Sequence, residues 1–138
     1  MYFLSNGFVS FHEQDPRDLA TCGGNIQGVR VWNVANHKKV VVASRVRPGG
    51  TTTFCESMFV NLEALTDTCV KDVDFYMTGP NGYLRDHHEG LRPFVLFGDI
   101  NDRELDGRYL KTGTYTLFTT PDANHSKEKV FKIAVKHC

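Results

Sequence analysis

The chain has 138 residues, enough for one domain with a sizeable buried core. Hydrophobic residues at 41% and charged residues at 23% exclude an intrinsically disordered chain. Sixteen basic residues against 16 acidic ones leave a formal net charge of +0, which argues against a nucleic-acid partner and does not oppose self-association.

No apolar run approaches the ~20 residues of a membrane helix, so no membrane span is expected. The opening Met1-Tyr2-Phe3-Leu4-Ser5 has neither a basic n-region nor a sustained apolar stretch and does not read as a complete signal peptide.

Residues 1–24 differ from the rest. Phe3, Phe8, Val9 and Phe11 are apolar without a period, Gln14-Asp15-Pro16-Arg17-Asp18 reads as a turn, and Cys22-Gly23-Gly24 breaks the chain. This segment is expected to be an N-terminal arm, and residues 25–138 the folded module. From Gly28 to Val34, Val29 and Val31 alternate with Arg30 and Trp32. Val40-Val41-Val42 follows, then the break Pro48-Gly49-Gly50, then an apolar stretch from Met58 to Leu65. Val70 to Thr78 has the cleanest period of two, with Val73, Phe75 and Met77 on one face and Asp72, Asp74 and Tyr76 on the other. Gly79-Pro80-Asn81-Gly82 is a turn, and Arg85-Asp86-His87-His88-Glu89 reads as a polar loop. Phe94 to Phe97 is a short apolar strand. Thr114 to Thr120 and Lys129 to Lys136 alternate again. About seven short strands separated by turn signals predict an all-β sandwich.

Four cysteines, Cys22, Cys55, Cys69 and Cys138, form no C-x-x-C pair, so two disulfides in an oxidising compartment are expected rather than a zinc site. The expected pairing joins Cys22 to Cys138, pinning both ends of the module, and Cys55 to Cys69, closing a short loop. Asn124-His125-Ser126 is a glycosylation acceptor triplet in a polar stretch between two strands.

Phe94-Val95-Leu96-Phe97-Gly98-Asp99 followed by Gly113-Thr114-Tyr115-Thr116-Leu117, with Pro93 and Pro121 flanking, resembles the signature of immunoglobulin-like modules in large secreted and cell-surface adhesive proteins. Val60-Asn61-Leu62-Glu63-Ala64-Leu65-Thr66, Val73-Asp74-Phe75-Tyr76-Met77-Thr78-Gly79 and the stretch from Ile26 to Asn36 are similar to the strands that precede that signature. The resemblance spans about residues 26 to 121. It implies an immunoglobulin-like β-sandwich with adhesive, scaffolding or ligand-presenting roles, and it brings no catalytic residue. Gly113-Thr114-Tyr115-Thr116-Leu117 also reads as a tyrosine corner. Tyr115 would bury its ring and bond back to the chain, and Leu117 would stand where antibody domains place a core cysteine.

Asp99-Ile100-Asn101-Asp102-Arg103-Glu104-Leu105-Asp106 carries four carboxylates and an amide. Asp99, Asn101 and Asp106 are the residues that could converge on Ca²⁺, which takes oxygen ligands. Against that, Arg103 occupies a ligand position of an EF-hand, and Leu110 stands where its bidentate Glu would be. Asp99 with Glu104 could serve a hydrolase only inside a concave pocket that raises a carboxylate pKa. His87 and His88, if on a strand, would point to opposite faces and could not both ligate one ion. Trp32 and Tyr83 are the aromatic residues expected to meet a sugar or a protein if they are exposed, alongside Tyr76 and Tyr109. No nucleophile elbow, metalloprotease motif, P-loop or dinucleotide fingerprint occurs, so the chain does not read as an enzyme.

The function these features imply is an extracellular structural or cell-adhesion module, a glycoprotein subunit of a fibre, filament or surface assembly joined through the arm. A carbohydrate- or receptor-binding module is the alternative.

Overall fold

The computed structural model describes residues 22–101 and 103–138. The arm expected over residues 1–24 therefore lies outside the described residues except for Cys22, Gly23 and Gly24. Eleven strands are formed among the described residues: β1 Ile26–Asn33, β2 Val40–Val46, β3 Thr51–Cys55, β4 Val60–Thr66, β5 Val73–Thr78, β6 Leu84–Glu89, β7 Phe94–Val95, β8 Asp99–Asn101, β9 Glu104–Leu105, β10 Gly113–Pro121 and β11 Lys129–Lys136.

They make an all-β sandwich. One sheet has the order β2-β1-β4-β7 and the other β3-β11-β10-β5-β6, while β8 and β9 form a separate hairpin. The pair β4–β7 closes although β5 and β6, which lie between them in the chain, belong to the opposite sheet. This is an immunoglobulin-like arrangement, with β3 running parallel to β11 along one edge.

The core follows from the period-two pattern. Val73, Phe75 and Met77 of β5 are fully buried, while Tyr76 between them is exposed. Tyr115 and Leu117 of β10 and Phe131, Ile133 and Val135 of β11 extend the inner face of the same sheet. Val29 and Val31 of β1 with Leu62 and Ala64 of β4 face them from the other sheet. Burying a side chain of this size contributes roughly 1.5–3 kcal/mol, so the interleaved apolar rows are the main source of stability.

The tyrosine corner is present. Tyr115 is 1% exposed, and its hydroxyl donates to the Lys111 carbonyl at 2.7 Å. Gly113, at φ +146°, brings the chain against the Pro80 ring, which a Cβ there would approach to 2.7 Å.

The disulfides correct the expected pairing. Cys22 bonds to Cys69 and Cys55 bonds to Cys138, with Cα separations of 5.2 and 5.7 Å. Strand register is the reason. Ile26 of β1 lies opposite Thr66 of β4, which brings the chain before β1 beside the chain after β4. Likewise Cys55, the last residue of β3, lies opposite Lys136 of β11, two residues from Cys138. Residues 22–24, assigned to the arm from sequence, are thus stapled to the sandwich, and Asn25 adds a backbone bond to Asp67 Oδ2 at 2.8 Å.

Four strands were not expected from the sequence: β3, β6, β8 and β9. The Arg85–Glu89 stretch is not a loop but part of β6, paired with β5 from Leu84 to Glu89. Its period of two is written in polar residues, with Arg85, His87 and Glu89 half-buried and Leu84, Asp86 and His88 exposed. That is how a charged edge strand looks.

Candidate functional site

The acidic loop is a tight hairpin, β8 against β9, with Asp99 opposite Leu105 and Asn101 opposite Glu104. Its residues serve the turn and their neighbours. Asn101 Oδ1 accepts from the Arg103 amide at 2.9 Å. The Asp106 carboxylate accepts from Arg108 at 2.9 Å and from the Gly107 amide at 2.8 Å. The Arg108 bond is the chief reason the Asp106 carboxyl is held below its usual range. Glu104 pairs with His37, whose pKa this contact raises. Asp99 is exposed. No three His, Cys, Asp or Glu side chains gather at a metal-binding distance among the described residues. Asp99 and Asn101 lie on β8 and Asp106 just after β9, with the Asn101 and Asp106 side-chain oxygens already accepting backbone amides.

Sequence reasoning missed the residue that anchors this hairpin. Asn61 of β4 is 0% exposed and satisfied on both sides of its amide. Its Nδ2 donates to the carbonyls of Gly98 at 2.9 Å and Asp106 at 2.7 Å, and its Oδ1 accepts from the Phe97 amide at 3.0 Å. The hairpin so held covers part of the outer face of the β2-β1-β4-β7 sheet. Val34, Val95 and Leu105 are buried there, with Trp32 and Phe59 packed against them. A cleft of about 510 Å³ opens beside it, with Phe59, Ile100 and Tyr109 among its lining residues.

Trp32 is thus half-buried on an outer face. Its indole N–H donates to Glu63 at 2.9 Å, and Arg30 and Lys39 sit over its ring at 5.6 and 5.2 Å. The chain's own cations already cover it. Tyr83 is also half-buried, edge-on to Tyr115 at 5.3 Å, with its pKa raised mainly by burial. Neither is an open stacking platform.

A further aromatic pair lies elsewhere. Tyr76 is exposed and Phe118 half-buried on the outer faces of β5 and β10, 6.0 Å between ring centroids. Tyr76 was named from sequence. Phe118 was not, although the tyrosine corner, by burying Tyr115 and Leu117, puts it on the opposite face of the strand.

His87 and His88 lie on opposite faces of β6, as strand geometry requires. His87 points inward, and burial, helped by Arg85, lowers its pKa. Its Nε2 is 3.8 Å from Glu89, whose pKa is raised by burial first and by Asp99 second. His88 points outward, and its bond to Asp74 at 2.6 Å raises its pKa.

Asn124 is exposed at the start of a short 3-10 turn. Its Oδ1 accepts from the Ser126 amide at 3.2 Å and from the Ser126 hydroxyl at 2.6 Å.

The sheet edges differ in chemistry. β6 carries Arg85, Asp86, His87, His88 and Glu89. β2, which pairs only with β1 among the described residues, presents Val40 at 58% and Val41 at 47% exposure. No helix among the described residues is long and apolar enough to cross a membrane.

No family model, curated protein or solved structure matches the chain.

Proposed function

We propose that the chain is an extracellular structural or adhesive module that joins its neighbours through residues 1–21. The observation that carries this reading is the edge strand β2, whose first residues Val40 and Val41 are apolar and solvent-facing, in a sandwich held by two disulfides. Edge strands usually carry charge that blocks pairing with another chain, as β6 does. Val40-Val41-Val42, the first half of β2, lacks that charge, which enters the strand only at Arg45. An added strand would gain main-chain hydrogen bonds along β2, while Phe3, Phe8, Val9 and Phe11 supply apolar side chains. A head-to-tail contact of this kind grows a filament unless it closes into a ring. The disulfides favour an oxidising, extracellular setting, and the exposed Asn124 triplet would carry a glycan there. The reading assigns no catalytic residue and no cofactor.

The test is the size of the natively purified chain by light scattering and electron microscopy, with and without residues 1–21. Regular oligomers or filaments that dissolve on deletion support the reading. A monomer in both cases, or assembly unchanged by the deletion, sinks it.

The second reading, a module that binds carbohydrate or a receptor, is favoured by one observation, the outer-face Tyr76–Phe118 pair, in which Tyr76 is exposed.

A further inference from the structure

The outer face of the β3-β11-β10-β5-β6 sheet is organised around those two rings. Strand register places Asp86, Tyr76, Phe118 and Val130 in one cross-strand row. The row on one side holds Thr78 and Thr116, and the row on the other holds Asp74 and Thr120. Tyr76 is 40% exposed. The two ring planes are inclined by 46°, so they make a trough rather than a flat platform. The cleft over them has a volume of about 450 Å³ and is framed by Asp74, Asp86, His125 and Glu128.

Three carboxylates therefore surround an exposed and a half-buried aromatic ring on a chain whose formal net charge is +0. Among the described residues, none of the three is paired with a lysine or arginine. Asp74 bonds to His88, Glu128 accepts from the Thr120 hydroxyl at 3.1 Å, and among the described residues the Asp86 side chain has no hydrogen-bond partner.

We propose that this cleft seats a cationic side chain, arginine or lysine, presented by a basic segment of a partner protein. A cation over a ring face is attracted by the ring's quadrupole, and the carboxylates supply the opposite charge at the rim. The trough suits a long, narrow side chain that lays its apolar stem along the rings and its charged head among the acids. A sugar ring presents a broader face, and a neutral ligand gains no Coulombic attraction from three acidic groups. The inference goes beyond assembly through the N-terminal segment, because β2 belongs to the opposite sheet.

The full chain is titrated into Gly-Arg-Gly-Arg-Gly carrying a neutral dye, its lysine counterpart and its neutral citrulline counterpart, with anisotropy as the readout and maltohexaose as competitor. The arginine and lysine peptides are expected to bind saturably and the citrulline peptide not to bind. Raising the salt to about 1 M, where charges are screened within ~3 Å, weakens the interaction. Tyr76→Thr and Asp86→Asn, both at exposed positions, each weaken it by about threefold with the far-UV spectrum unchanged. Equal binding of the citrulline peptide, displacement by maltohexaose, binding indifferent to both substitutions, or no saturable binding overturns the proposal. Failure of the deletion test on residues 1–21 leaves this result untouched, so the two ideas fail separately.

Discussion

Replacing Asn61 by leucine should cost this fold about 3 kcal/mol, far more than the small change in volume suggests. The side chain is 0% exposed, and three of its bonds reach distant backbone groups: the Gly98 and Asp106 carbonyls and the Phe97 amide. Leucine removes all three partners at once. Each stranded buried group costs roughly 1–3 kcal/mol. The lower half of that range, less about 1 kcal/mol for the added apolar burial, leaves the figure above. Asn61→Asp should be at least as damaging, since it keeps the shape but loses both donors and buries a charge. Urea unfolding followed by far-UV circular dichroism reads the loss as a lower midpoint at unchanged slope. Hydrogen exchange adds a local readout, because the Phe97 amide should lose protection. A leucine variant within about 1 kcal/mol of the parent would refute the claim that this amide holds the β8–β9 hairpin on the sandwich.

Gly79→Ala should destabilise by about 1–3 kcal/mol, because a Cβ there falls 2.3 Å from Tyr115 Cδ2 in the packed tyrosine corner; a thermal midpoint equal to the parent's would contradict this. Digestion with trypsin and a glutamate-specific protease separates all four cysteines, so mass spectrometry without reduction should find Cys22 with Cys69 and Cys55 with Cys138, and any other pairing would refute the register argument. Losing the Cys55–Cys138 bond, with its sequence separation of 83, should cost about 4–5 kcal/mol in urea unfolding on the chain-entropy account. His87 and His88 should titrate on opposite sides of the ordinary histidine value of 6.5, His87 below and His88 above, with Asp74→Asn returning His88 toward it. The signs follow from linkage. The raised His88 adds stability that is full below 6.5 and lost as pH rises through its folded pKa, whereas the lowered His87 removes stability as pH falls below 6.5. Proton NMR of the two rings decides, and a common midpoint would contradict the opposed placements.

The features legible in the sequence were those a single strand or turn encodes. Val73, Phe75 and Met77 announced β5 because a half-buried strand repeats every two residues, and Gly113-Thr114-Tyr115 announced a corner because the motif is local. The strands that escaped were β6, whose alternation runs through charged residues, and the short β3, β8 and β9. Asp99, Asn101 and Asp106 were singled out as Ca²⁺ candidates by spacing alone, and spacing does not show the backbone amides that the Asn101 and Asp106 oxygens accept.

The amino-acid sequence by itself determined that this is an all-β chain with two possible layers of alternating strands, four cysteines available for two bonds, and a tyrosine corner. Those properties depend on residue type and on neighbours close along the chain. Only the tertiary structure decided which cysteines meet, that Asn61 is buried and fully bonded, that Trp32 is covered by Arg30 and Lys39, and that Tyr76 and Phe118 meet among carboxylates. Each of these depends on the register between strands far apart in the chain, and a period of two leaves that register unspecified until both sheets have packed.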